Sequence, residues 1–305
     1  MTFLLCLSLS AGVVLGSECG ASGGASGVAV DSLFRFHSRF WPNLHHFAYE
    51  QALLTADPPR TRGSRGEVAP VDELSGDEAA AWARAVVFYR DSLIERDLLF
   101  DDELIALDGI LGELPADADE DALLAAGVPE SLAAVLADAA LVYRQRWWPV
   151  HDEANRRWVE RHQQLVVHYG GELAAELADA YRAEWPREVI DVDVLTYANW
   201  AGAYTSTGPP HIRISSSLEA NTDWWALEMV FHEASHTMVG GRRGAVAAAI
   251  RESAERVGAP RPRWLWHRDE DRQAEFEALS LHWQPYLDGT IDFESAIAAV
   301  VEELR

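Results

Sequence analysis

The chain has 305 residues, of which 49% are hydrophobic and 12 are Trp, so it can bury a core as one large domain or two lobes. Its formal net charge is −24, and every basic residue is Arg, with no Lys anywhere. A field of that sign repels phosphate backbones and anionic lipid head groups, which excludes nucleic acid as a partner. Both cysteines, Cys6 and Cys19, lie near the start, so a metal site in the folded body must use His and carboxylate ligands.

An apolar run of signal-peptide length, residues 2–16, is followed by small residues. This pattern predicts export to a periplasmic or extracellular location, with residues 1–28 as leader and tether, although no Arg or Lys precedes the run. Cys19 and the Gly/Ala/Ser stretch after it are also typical of a bacterial lipoprotein start, but Glu18 stands where a small residue normally precedes the lipidated cysteine. A membrane tether through the N-terminus is therefore a second prediction.

Residues 29–170 are predicted to form an N-terminal helical region. The spacing of aromatic residues from Asp31 to Leu54 indicates a helix that Pro42 breaks or restarts. This stretch carries three histidines that we expect to be packed and hydrogen-bonded rather than bound to metal: His37, His45 and His46.

Two further helices are predicted before residue 115. Ser75 with Glu78 three residues later is a capping-box pattern, which starts a helix that we expect to reach about Phe100. A shorter helix from Asp102 to Leu114 follows it.

A long helical tract begins at Pro129. We expect Pro149 to kink it, and Gly170 with Gly171 to end it before a separate helix from Glu172 to Trp185. The tract also carries polar residues that are expected on a solvated face: His151, Asp152, Glu153 and His162.

The hydrophobic period changes after Pro186. The stretch VIDVDVLTY alternates apolar residues with Asp191 and Asp193, which is the spacing of a strand, and NWAGAYTS is a second strand candidate. In HIRISSS, Ile212 and Ile214 face one way, and His211, Arg213 and Ser215 face the other. This alternation predicts a half-exposed edge strand.

The pattern H-E-x-x-H occurs in His232, Glu233 and His236. Two histidines four residues apart share one face of a helix, so both imidazoles can reach one tetrahedral zinc ion. Glu233 lies about 100° round the helix from His232, where its carboxylate can act as base toward a water on the open side of the metal. The pattern therefore predicts a Zn²⁺ site with His232 and His236 as ligands and Glu233 as the catalytic base.

The residues around the motif predict a helix of suitable length. Asn221 or Thr222 can cap its start, and Asp223 places a negative charge in the first turn, where the helix dipole favours one. Gly240 and Gly241 are expected to end it one turn after the second histidine.

On these residues the chain resembles the zincin metallopeptidases, in which H-E-x-x-H supplies two zinc ligands and the catalytic base. The order helix, short sheet, edge strand, H-E-x-x-H helix is similar to the upper lobe of that family. The resemblance implies an α+β, predominantly helical fold with a zincin-like catalytic region over residues 171–305, and an edge strand that pairs with an extended peptide or protein substrate. The stretches HSRFWPNLHHFAYEQA, HEASH and LWH also resemble an uncharacterised group of bacterial exported zincin-like proteins.

A catalytic zinc site needs a third protein ligand. The metzincin family has a histidine six residues after the second motif histidine, but Arg242 occupies that position here. We choose His267, because it follows an apolar run directly after a loop and can be held dry. Three alternatives remain: Glu275, Glu277 and His282.

Three hypotheses about function follow. The first is a zinc-dependent hydrolase, a metallopeptidase, with Tyr286, His282 or Tyr204 stabilising the carbonyl oxygen. The second is a non-catalytic binding protein on a degenerate zincin scaffold, because RDEDRQAE stands where the resembling group has an apolar helix after the LWH histidine. The third, a helical di-iron protein, requires a second E-x-x-H, which the sequence lacks.

Overall fold

The computed structural model describes residues 33–59, 66–181, 183–238, 278, 281–282 and 284–303. They form an α+β fold that is about 60% helical with a small mixed four-stranded sheet, which confirms the predicted fold class at this level. The described elements follow one another in this order: β1 (Phe34–His37), α1 (Phe40–Leu54), α2 (Gly76–Ser92), α3 (Asp102–Gly112), α4 (Glu120–Ala125), α5 (Glu130–Arg146), α6 (Trp148–Tyr181), β2 (Ile190–Leu195), β3 (Ala203–Thr207), β4 (Pro210–Ser215), α7 (Asp223–Met238), α8 (Gln284–Leu287) and α9 (Phe293–Glu303).

The helical core is organised around α1, which is buried along nearly its whole length against α2, α3 and α5. Aromatic rings fill the space between these helices. The Phe47 ring lies 5.4 Å from that of Trp82, and the Trp82 ring lies 4.5 Å from that of Trp147. Such rings bury large apolar areas, and this makes α1 the centre of the core.

The capping box that the sequence predicts at the start of α2 is present. The backbone N–H of Glu78 donates to the Ser75 hydroxyl, and the Glu78 carboxylate accepts from the Ser75 backbone N–H. The helix ends at Ser92 and does not reach Phe100, since the N–H groups of Leu93 and Ile94 both bond to the Tyr89 carbonyl and the chain turns there.

Residues Phe34–His37 form a strand, so the prediction of a helix throughout this stretch is wrong. Strand β1 pairs in parallel with β2, with Phe34 opposite Ile190 and His37 opposite Asp193. Helix α1 begins only at Phe40. Over four residues, the alternation of apolar and polar residues in a strand cannot be distinguished from the hydrophobic period of a helix. The strand with which β1 pairs also lies far along the chain.

The prediction that His45 and His46 are packed and hydrogen-bonded is confirmed. Both are fully buried on α1. Nδ1 of His45 lies 2.7 Å from the Tyr89 hydroxyl, and Nδ1 of His46 donates to the carbonyl of Ala198 over 2.7 Å.

Strand β4 is an interior strand, so its prediction as a half-exposed edge strand is wrong. The order in the described sheet is β1-β2-β4-β3, with β4 parallel to β2 and antiparallel to β3. The position at the end of the sheet belongs to β3. Both faces of β4 are buried, including the side chains of His211, Arg213 and Ser215 that were expected to face solvent.

Burial of Arg213 is possible because it pairs with Asp108 of α3. The guanidinium also donates to the Ser206 hydroxyl over 2.8 Å and to the His211 carbonyl over 3.1 Å. A buried charge requires such partners, and no local pattern in the sequence predicts them.

Helix α6 continues through Gly170 and Gly171, so the prediction that these glycines end it is wrong. A Cβ on Gly170 would lie 3.1 Å from Leu33 Cδ1 and 3.5 Å from Phe231 Cζ. Gly170 therefore allows neighbouring segments to approach the helix closely and does not act as a C-cap.

The chain divides into two compact units. One comprises Ala29–Glu172 and Pro186–Ala234 and contains the sheet. The described residues of the other are 173–181, 183–185, 235–238, 278, 281–282 and 284–303. The predicted leader, residues 1–28, lies outside the described residues, and within those residues no helix combines the length and apolarity that a membrane span requires.

Candidate metal centre

Helix α7, which carries the H-E-x-x-H motif, starts where the sequence predicts. The carbonyl of Thr222 accepts from the backbone N–H groups of Trp225 and Ala226 over 3.1 and 3.3 Å, so Thr222 occupies the N-cap position. Asn221 is buried, and its side-chain amide donates to the carbonyls of Gly202 and Ser215 over 2.8 and 2.9 Å. The start of α7 is thereby tied to β4 and to the residue just before β3.

Helix α6 holds the first turn of α7 through two side chains. The indole N–H of Trp158 donates to the Asn221 carbonyl over 2.7 Å. Nε2 of His162 accepts from the backbone N–H of Asp223 over 2.9 Å, while its Nδ1 donates to the Trp158 carbonyl over 2.7 Å. These contacts require a neutral imidazole with its proton on Nδ1, and burial, the largest cause, lowers the pKa of His162.

The middle of α7 packs on β1 and α6. The rings of Phe231 and Phe34 meet edge to face at 5.2 Å, and Phe231 also lies next to Gly170 of α6. Because these contacts immobilise the residue just before His232, the motif starts from a fixed backbone.

The three motif residues lie together on α7. Each of His232, Glu233 and His236 offers one ligand atom, and these atoms all lie within 4.8 Å of one another. Glu233 and His236 are each 6% exposed, and His232 is half-buried. The cluster thus combines low exposure for the carboxylate with one side open to solvent at His232.

Glu233 is held from the sheet by Thr205 of β3. The Thr205 oxygen Oγ1 lies 2.7 Å from Glu233 Oε2 and 2.9 Å from the Glu233 backbone carbonyl oxygen. A hydrogen bond to a carboxylate restricts its rotamer.

The residues fit a zinc ion by chemistry and by spacing. Two nitrogens bound to one tetrahedral zinc, each about 2.0–2.1 Å from it, lie about 3.4 Å apart. A spread of at most 4.8 Å among the three ligand atoms admits an ion between the imidazoles after small side-chain rotations, with the carboxylate as an outer neighbour. Two imidazoles and a carboxylate are donors that suit zinc.

The proposed third ligand His267 and the alternatives Glu275 and Glu277 lie outside the described residues. The remaining alternative, His282, is described and lies just before α8. Its Nε2 lies 3.3 Å from the Glu303 carboxylate.

Two of the carbonyl-stabiliser candidates, Tyr204 and Tyr286, are buried. Tyr204 is buried on the face of β3 opposite Thr205, and its hydroxyl lies 3.2 Å from Nε2 of His46. It therefore belongs to the core network around Asp108. Tyr286 is buried in α8.

Sequence reasoning missed two residues that shape this site, Thr205 and His162. Thr205 lies in a stretch that the sequence does assign to a strand, but its partner is 28 residues away. His162 was assigned to a solvated face, yet it is buried. Its position four residues after Trp158, on the same face of α6, was the available signal.

Comparisons of the chain with protein-family models, with curated proteins and with solved structures find no match in any of the three.

Proposed function

We propose that the protein is a zinc-dependent hydrolase, a metallopeptidase in which His232 and His236 hold Zn²⁺ and Glu233 is the general base. The observation that carries the proposal is the spacing of the three ligand atoms, all within 4.8 Å on one helix. A bound Zn²⁺ would supply Lewis-acid chemistry, which polarises a carbonyl and lowers the pKa of a water. His267 is the third ligand in this proposal.

Glu233 performs the proton transfer. Its carboxylate is nearly excluded from solvent and hydrogen-bonded to Thr205, so it is held where it can accept the proton of the attacking water. The neighbouring Ala234 is fully buried and anchors this turn of the helix.

A peptide substrate is supported by the H-E-x-x-H motif at His232, Glu233 and His236, on which the chain resembles the metallopeptidases. Thr205 of β3, the strand at the end of the described sheet, contacts the proposed base. The apolar run at residues 2–16 supports an exported enzyme that acts in the periplasm or outside the cell.

Glu233→Gln tests this function, with Glu228→Gln, an exposed position on the same helix, as the matched control. The amide matches the carboxylate in shape but cannot take a proton, so cleavage of unfolded proteins or short peptides should fall about 10²- to 10⁴-fold. Zinc content, expected at about one ion per molecule by elemental analysis, should be unchanged in both variants. The control should retain wild-type activity.

Equal cleavage by wild type and Glu233→Gln would rule out the base role. A purified protein that contains no metal would contradict the proposal that His232 and His236 bind zinc. If zinc binds but no member of a broad peptide and protein panel is cleaved, the non-catalytic binding protein on a degenerate zincin scaffold becomes the better account.

A further inference from the structure

Strand β3 presents its side chains to two different environments. Tyr204 and Ser206 face the core network, where Ser206 accepts from Arg213 over 2.8 Å and the Tyr204 ring lies 5.5 Å from the Arg213 guanidinium carbon. Thr205 lies between them in sequence and therefore points to the other face, toward α7. It is 1% exposed.

The two contacts of Thr205 reach the same residue. One oxygen, Oγ1, lies within hydrogen-bond distance of both the side-chain Oε2 and the backbone carbonyl oxygen of Glu233, at 2.7 and 2.9 Å. A hydroxyl carries one proton, so Thr205 donates to one of these oxygens at a time, and both oxygens belong to Glu233. The Glu233 side chain is thereby held against its own helix turn by a residue of the sheet.

We propose that Thr205 is the positioning residue for Glu233: its hydroxyl selects the rotamer from which the carboxylate faces the attacking water. Thr205 touches neither metal nor substrate in this role and acts through Glu233. The proposal rests on the proposed function, and it adds that the base is oriented by a residue of the sheet.

Kinetics separate positioning from packing. Thr205→Val keeps the shape but removes the hydroxyl, so kcat on fluorescein-labelled casein should fall about 10- to 100-fold, the equivalent of one hydrogen bond to a charged group. KM and zinc affinity, measured by chelator competition, should stay within about twofold, because neither depends on the Glu233 rotamer.

Two further variants control for structure. Thr205→Ser retains the hydroxyl and should restore kcat to within about threefold of wild type. Ser206→Ala removes a hydroxyl from the opposite face of β3 and should leave kcat unchanged. Full kcat in Thr205→Val, or an equal loss in Thr205→Ser, would overturn the assignment.

A measurement without catalysis keeps this proposal distinct from the proposed function. The test is a double-mutant cycle of Thr205→Val and Glu233→Leu on the metal-free full chain, measured by urea unfolding. The change in the folding equilibrium constant of the double variant should differ by about tenfold or more from the product of the two single changes. Glu233→Leu keeps the backbone carbonyl, so the cycle isolates the bond to the carboxylate. Independent effects would overturn the proposal even in an active enzyme. Coupling in a protein that cleaves nothing would support the hydroxyl–carboxylate bond while the hydrolase assignment fails.

Discussion

Asp108 and Arg213 are both fully buried, and their charged side chains form an ion pair. Burial alone would raise the pKa of Asp108, but the charge of Arg213 and the hydrogen bond from His46 outweigh it and hold that pKa below its ordinary value. Burial likewise opposes the charge of Arg213, and Asp108 more than compensates, so the pKa of Arg213 is raised. Each residue is tolerated only because the other is present.

Asp108→Asn should lower the free energy of unfolding by about 3–5 kcal/mol, because it leaves the Arg213 guanidinium buried without its counter-charge. Asp138→Asn is the matched control, since it breaks the exposed pair with Arg84 and should cost less than about 1 kcal/mol. Urea denaturation gives both values. Similar losses in the two variants would show that the buried Arg213 does not need the charge of Asp108.

The third zinc ligand is a second prediction at the scale of single residues. His267→Ala should weaken zinc binding by more than about 100-fold, because loss of a direct ligand costs more than loss of a residue that only orients one. Glu275→Ala and Glu277→Ala should leave the affinity nearly intact. Chelator competition measures all three, and a large loss in Glu275→Ala alone would assign the site to a glutamate ligand.

Helix α6 shows how an element gains a role from its neighbours. It runs from Trp148 to Tyr181 in spite of Pro149 and of the two glycines in its interior. Pro149 is tolerated because it lies in the first turn, where its missing N–H has no helical partner. Gly170 allows the close approach of Leu33, and Phe231 of α7 lies next to it. The same helix supplies Trp158 and His162 to the start of α7, so it supports the helix that carries the H-E-x-x-H motif at two points.

Gly170→Ala and Gly109→Ala make a matched pair of helix-interior substitutions. At Gly109 of α3 a Cβ would come no closer than 4.0 Å to Arg213, so alanine should stabilise the fold by about 0.5–1 kcal/mol through helix propensity. At Gly170 the approach of 3.1 Å to Leu33 should cancel that gain or reverse it. Urea denaturation compares them, and an equal gain at both sites would contradict the close packing of α6 against Leu33.

The pH dependence of stability belongs to the whole molecule, because it sums over buried groups in several elements. Burial is the largest cause that lowers the pKa of His45 from 6.5 to about 3 and that of His151 from 6.5 to about 4. Since the folded-state values lie below the unfolded one, these histidines contribute stability above pH 6.5 and lose it as the pH falls toward 4.

The free energy of unfolding should therefore fall by up to about 1.4 kcal/mol per pH unit for each of the two histidines below about pH 6.5. Urea denaturation at steps between about pH 7.5 and 4.5 measures the slope. His151→Asn keeps a hydrogen-bonding group near Tyr143. It should lower the slope of the free energy of unfolding against pH by the contribution of one titrating group. A stability that does not change across this range would show that the buried imidazoles are protonated in the folded state or reach solvent.

Local patterns in the sequence were sufficient where the deciding interactions span only a few residues. The capping box at Ser75 and Glu78 closes within four residues, and α7 starts at Asp223, directly after the residues at which the sequence predicts its start. The meeting of His232 and His236 on one face follows from the helical period alone. These features depend on backbone geometry that neighbouring residues dictate.

Tertiary structure decided what depends on distant partners. Phe34–His37 is a strand because β2 pairs with it, and β4 is interior because Arg213 finds Asp108 on α3. Gly170 continues a helix because Leu33 and Phe231 pack against it. Thr205 reaches Glu233 only after the sheet and α7 have come together. The sequence by itself determined the helix that carries the motif, whereas the contacts that hold its glutamate and its first turn come from long-range packing, which no local period encodes.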